Sequence, residues 1–138
     1  MNTRNIFYGI ISLTMLISCK PKPHMQQAKD QDLTIQLMAL KGGPDDGRTL
    51  SYQVRLIPVK KVQKTALYYQ MDSCFYLLNG TKKIYASLVQ PIANGINGSY
   101  EYLLQFEKPP IGEMNQIVPV YQDKYINGKC YDLKTNDE

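Results

Sequence analysis

Leu33-Thr34-Ile35-Gln36-Leu37-Met38-Ala39 carries Leu33, Ile35, Leu37 and Ala39 in alternation with Thr34, Gln36 and Met38. Leu50-Ser51-Tyr52-Gln53-Val54-Arg55-Leu56 repeats that period of two. Successive side chains of an extended chain point to opposite faces, so each stretch predicts a strand with one buried face. Between them Lys41-Gly42-Gly43-Pro44-Asp45-Asp46-Gly47 is dense turn chemistry. Pro58 marks where the second strand leaves its sheet or reaches an edge, because proline cannot donate to a ladder.

Further along the chain, residues 66–71 (ALYYQM), 74–78 (CFYLL) and 84–89 (IYASLV) are short apolar runs rich in β-favouring aromatics. Asn79-Gly80 between two of them predicts a hairpin. Asn94-Gly95 and Asn97-Gly98 predict a long turn before Tyr100, Tyr102, Leu104 and Phe106, again at period two, and Pro109-Pro110 ends that strand. Residues 116–121 (QIVPVY) and a hairpin around Asn127-Gly128 complete the set near Leu133. About seven closely spaced strands without a convincing amphipathic helix predict an antiparallel β-sandwich. Strict alternation fails near Val62–Gln70, where a short helix is the alternative.

The 138 residues are 43% hydrophobic and 20% charged, which excludes wholesale disorder and leaves room for one domain. There is no Trp, 3 Phe and 11 Tyr, so the aromatic character is almost all tyrosine. Tyrosine brings a large apolar body and one polar tip, which suits core and cross-strand packing.

At the amino end Arg4 precedes Ile6–Ile17, an uncharged run that fits the apolar region of a signal peptide and falls short of the ~20 residues of a spanning helix. The run closes in Leu16-Ile17-Ser18-Cys19, then Lys20-Pro21-Lys22-Pro23. This resembles the bacterial lipoprotein signal, with Leu16, Ser18 and Cys19 matching its lipobox. The resemblance implies cleavage before Cys19, lipid on its thiol and acylation of the new amino end. The expected organisation is a signal peptide over residues 1–18, a lipidated Cys and flexible tether over 19–32, and the β-sandwich over 33–138. Lys20 after the lipid-bearing Cys implies an outer-membrane anchor facing the periplasm. Asp30 and Asp32, at the end of the tether, are expected to carry no site.

Removing residues 1–18 takes away Arg4 and no acid, which leaves 120 residues with 15 Lys+Arg against 12 Asp+Glu, net +3. Lys60-Lys61 with Lys64, and Lys82-Lys83, read as solvated strand ends; nucleic acid binding normally shows a denser basic face. With Cys19 taken by lipid, Cys74 and Cys130 remain, and an oxidising compartment allows a disulfide between them. Two buried thiols among aromatics are the equal alternative.

Phe75-Tyr76-Leu77-Leu78-Asn79-Gly80, Tyr85, Asn94-Gly95 and Tyr100 to Pro109 together are similar to immunoglobulin-like lipoproteins of bacterial envelopes. The similarity implies an immunoglobulin-like sandwich and a binding or scaffolding role, and it carries over no functional residue.

The search for chemistry is short. His24 is alone and lies in the tether, and no Gly-x-Ser-x-Gly elbow or phosphate-cradling glycine loop is present. Asp72, Glu101, Glu107 and Asp123 show no pairing at a useful spacing, and no metal or other cofactor is expected. Tyr121, Asp123, Lys124 and Tyr125 form the most distinctive polar cluster and are the candidate recognition loop. The expectation is a non-enzymatic, lipid-anchored module that binds another envelope protein. A glycan or small-ligand binder and a type VI secretion-associated lipoprotein are the alternatives, and a carboxylate hydrolase ranks last.

Overall fold

The computed structural model describes residues 24–41 and 47–134; the leader, Cys19 and Asp45-Asp46 lie outside them. The described chain runs β1 (Met25–Lys29), β2 (Leu33–Leu40), β3 (Thr49–Pro58), α1 (Lys64–Tyr69), β4 (Phe75–Asn79) and β5 (Lys82–Tyr85). It continues with β6 (Leu88–Ile92), β7 (Tyr100–Glu107), a 3-10 turn (Ile111–Gln116), β8 (Ile117–Gln122) and β9 (Cys130–Asp132). The strands form two wholly antiparallel sheets, ordered β1-β2-β3-β7-β6 and β5-β4-β8-β9. With β1 set aside, β2-β3-β7-β6 against β5-β4-β8-β9 is the A-B-E-D and C′-C-F-G connectivity of an immunoglobulin-like sandwich.

The period-two residues build the core. Leu33, Ile35 and Leu37 of β2, Val54 and Leu56 of β3, and Tyr100, Tyr102, Leu104 and Phe106 of β7 are all buried. They meet Phe75 and Leu77 of β4, Tyr121 of β8 and Tyr131 of β9. The ring of Phe75 lies 5.6 Å from that of Tyr102 and 5.1 Å from that of Tyr121, within the range of favourable aromatic pairs. The buried hydroxyls find partners: Tyr102 donates to the Leu67 carbonyl at 2.5 Å and Tyr121 to Asp123 at 2.8 Å.

Four local expectations are corrected. Residues 25–29, expected in the tether, are strand β1, with Ala28 opposite Ile35 on the core side. Only one of its inward positions is aliphatic, so the strand is held by its ladder on β2 more than by hydrophobic alternation. Of the two readings left open at 66–69 the extended one gives way to the short helix, with Leu67 alone turned into the core while Tyr68 and Tyr69 stay exposed. The run 84–89 is divided between the two sheets. The Ala86 N–H still donates to Phe75 of β4, whereas the Ser87 N–H donates to Gln105 of β7. The hairpin after β4 lies one residue later than expected. Asn79 pairs with Lys82, and Gly80 alone takes a positive φ, +59°, which suits a turn with glycine at its first central position.

Candidate functional site

The strand directions collect four connections at one end of the sandwich: the turn at residues 30–32, the β3–β4 connection with α1, the β6–β7 loop at 93–99, and the β8–β9 loop at 123–129. The ladder register shows it. Leu33 opposes Pro58, Leu56 opposes Tyr100, and Phe75 opposes Tyr121.

Each connection is fixed by its own polar residues. The Asp30 carboxylate accepts the N–H groups of Asp32 (2.8 Å) and Leu33 (3.0 Å), a side-chain mimic of a backbone turn. Helix α1 has no side-chain cap and no acid in its first turn. It is held by Leu67 and by the Tyr102 hydroxyl. In the 93–99 loop the Asn94 carbonyl oxygen accepts the Ile96 N–H at 2.9 Å and its amide donates to Ser99 Oγ at 3.3 Å. Gly95 and Gly98 supply φ of +68° and +78°, where a Cβ would be strained.

Each candidate recognition residue makes a contact within the fold, and Lys124 stays exposed. Tyr121 is fully buried and Asp123 nearly so. The Asp123 carboxylate accepts the N–H groups of Ile126 (2.9 Å), Asn127 (2.5 Å) and Gly128 (2.7 Å) as well as the Tyr121 hydroxyl. Burial pushes its pKa up, but the N–H groups of Asn127 and Gly128 with the Tyr121 hydroxyl outweigh burial, and the net shift is downward. Lys124 donates to Ser73 Oγ at 2.6 Å and the Tyr125 hydroxyl to the Gln70 carbonyl at 2.9 Å. All four residues therefore bind the β8–β9 loop to the rest of the fold.

Cys74 is buried, Cys130 is exposed, and both are free thiols. The Gln122 N–H donates to the Cys74 carbonyl while Gln122 opposes Cys130. Strand β8 therefore stands between the two cysteines. Two strand spacings of ~4.8 Å put their Cα atoms roughly 10 Å apart, beyond the ~7 Å that a disulfide spans. Burial pushes the Cys74 thiol up to about 11. The Cys130 sulfur lies 3.6 Å from the Tyr76 hydroxyl.

Asp30 and Asp32, set aside on sequence grounds, belong to a built cluster. Lys129 Nζ lies 2.8 Å from Asp30 and 3.4 Å from Asp32. The Tyr131 hydroxyl donates to Asp30 and receives the Asn127 amide. The Lys129 ammonium, followed by the Asp32 N–H, holds the Asp30 carboxyl well below the usual carboxylate range. Such a carboxyl is ionised at neutral pH and cannot act as a general acid. The other acid pairing is remote: Glu101 meets Arg55 on the outer face of the five-stranded sheet. Among the described residues no three His, Cys, Asp or Glu side chains gather to hold a metal.

Beside these connections lies a cleft made of two adjoining cavities of about 260 and 310 Å³. Both share Lys64, Asn97, Gly98 and Tyr100 as lining. One extends to Tyr68, whose ring meets that of Tyr100 edge-on at 6.0 Å; the other reaches Lys60, Lys61 and Val62. The lysines are exposed, and among the described residues none has a carboxylate at ion-pair distance. The tyrosines around the two sheets are split, so they form no continuous stacking platform for a glycan. Tyr76, Tyr100 and Tyr102 are buried, and Tyr68 of α1 and Tyr85 of β5 are exposed. The cleft escaped sequence reading because its lysines read as a rim and its Asn-Gly pairs as turn grammar. Chemically it offers an aromatic wall, three cations and loop amides, which is binding equipment.

Comparison with protein-family models, with curated proteins and with solved structures finds no match to this chain.

Proposed function

We propose that this chain is a lipid-anchored binding module of the bacterial envelope, held to the outer membrane through Cys19, facing the periplasm and docking a partner protein through its loop end. The observation that carries the reading is the direction of β1. Met25 opposes Met38, near the far end of β2, and Lys29 opposes Thr34 beside the loop end. The chain therefore enters β1 at the end opposite the cleft. From Cys19 to Met25 is six residues, at most ~20 Å of extended chain. An anchor at Cys19 sits on one side of the sandwich, and β1 alone carries the cleft a further ~17 Å away from it. The loops of an immunoglobulin-like scaffold are where such domains place recognition.

Two measurements test this. Metabolic labelling with palmitate is expected to mark the wild type and not Cys19→Ser. Purification of the native lipoprotein from detergent-solubilised membranes is expected to bring down a stoichiometric envelope protein. Labelling that survives Cys19→Ser, or recovery only as a lone monomer, overturns the proposal.

A further inference from the structure

The chemistry of the loop end also defines what it takes. We infer that the cleft docks an acidic segment of the partner protein, one that carries an apolar side chain among its carboxylates; this rests on the binding-module reading above. Lys60, Lys61 and Lys64 sit on one stretch of the rim, and no described carboxylate neutralises them. At the same end Lys129 is satisfied by Asp30 and Asp32 and Lys124 stands alone, so among the described residues Lys60, Lys61 and Lys64 are the cluster of unpaired cations there. Uncompensated cations of this kind steer and select a partner of opposite sign.

The apolar component separates a protein from a saccharide. Val59 is 67% exposed, Ile96 56%, Tyr69 80% and Tyr68 41%, all on the segments that form the cleft. Aliphatic side chains left in water gain from burial against apolar atoms. Tyrosines surrounded by such residues are the usual anchors of protein interfaces, with charges at the rim. A sugar ring would use Tyr68 but leave Val59 and Ile96 without partners.

The test uses the full lipoprotein in its own membranes. A photoreactive aromatic residue is placed at Tyr69, beside the cleft. Controls carry it at Leu88, on the outer sheet face, or at Ile111, at the opposite end and 89% exposed. Expected is an adduct from position 69 whose cross-linked peptide is rich in Asp and Glu. The adduct should fall about tenfold or more with K60E/K61E/K64E, persist with K60R/K61R/K64R, and weaken in ~1 M salt, where charges are screened beyond ~3 Å. Thermal unfolding checks that the reversed variant folds; should it not, the single variants Lys60→Glu and Lys64→Glu make the same comparison.

An adduct indifferent to charge reversal, one to a non-acidic peptide or to polysaccharide, or one formed only from positions 88 or 111 overturns the inference and leaves the binding module standing. No adduct from any position, with a monomeric pull-down, overturns both.

Discussion

Replacing Asp123 by Ala removes the acceptor around which the β8–β9 loop is folded. Five donors lose their partner: the Tyr121 hydroxyl and the N–H groups of Tyr125, Ile126, Asn127 and Gly128. The Tyr121 hydroxyl belongs to a fully buried side chain and cannot turn to water, so its loss alone is worth ~1–3 kcal/mol. The four backbone groups lie on half-buried or exposed residues and recover part of their loss from solvent. A total near 3 kcal/mol follows, which for a domain of this size lowers Tm by roughly 12 °C. The measurement is urea and thermal unfolding followed by circular dichroism, on protein whose first 19 residues are exchanged for an ordinary cleaved leader. Tyr121→Phe, removing one donor and leaving the carboxylate its backbone partners, should cost only about 1 kcal/mol. The pH dependence has a defined sign. Folding lowers the pKa of Asp123, so the stabilisation is complete above the ordinary Asp range and is lost as pH falls through the folded-state value. The gap between wild type and Asp123→Ala should therefore close in acid. A loss below about 1 kcal/mol at neutral pH, or a gap that widens in acid, refutes the idea that this carboxylate organises the loop.

Three more outcomes are expected. Maleimide should label Cys130 in the native protein and Cys74 only after denaturation, with no mobility change on reduction; a linked Cys74–Cys130 peptide would overturn the assigned register. Tyr102→Phe should cost about 1–2 kcal/mol by leaving the Leu67 carbonyl unpartnered, and hydrogen exchange should show α1 loosened first; an unchanged Tm contradicts this. Asp30→Ala should raise amide exchange across Met25–Lys29, read by mass spectrometry, since the turn and the Lys129 and Tyr131 contacts that end β1 all depend on that carboxylate. Protection equal to wild type would mean that the ladder on β2 holds β1 alone.

Most of the sandwich was legible where one face of a strand is buried and the other is wet. β2, β3 and β7 follow the alternation because their inward residues are Leu, Ile, Val, Tyr and Phe. β1 was not legible, since an edge strand of Met, Gln, Ala and Lys satisfies its backbone without showing hydrophobic period. The helix showed only as a break in the alternation near Val62–Gln70, because six residues with one buried side chain give no 3.6-residue pattern. The division of 84–89 depends on Ala86 and Ser87 bonding to different sheets, a tertiary fact that no local composition encodes. At the candidate site, the sequence pointed to the polar run at 121–125 for its tyrosines and charges. Tyr121 and Asp123 turn inward and Lys124 and Tyr125 bond to Ser73 and Gln70, so all four hold the loop. The cleft is lined by lysines and glycines that are ordinary in isolation.

The orientation of β1 has a mechanical consequence. Its hydrogen bonds to β2 run across the strand axis. Tension applied upstream of Met25, against a load held at the loop end, pulls along β1 and away from that end. The five paired residues then share the force in shear and must yield together, whereas the same strand pulled from its other terminus would unzip one pair at a time. At the distal end of β1, Asp30 is bolted to Lys129 and Tyr131, so the strand is braced where sliding would have to begin. In the lipid-anchored module proposed above, this short edge strand of modest hydrophobicity would be the tension-bearing coupling between anchor and partner.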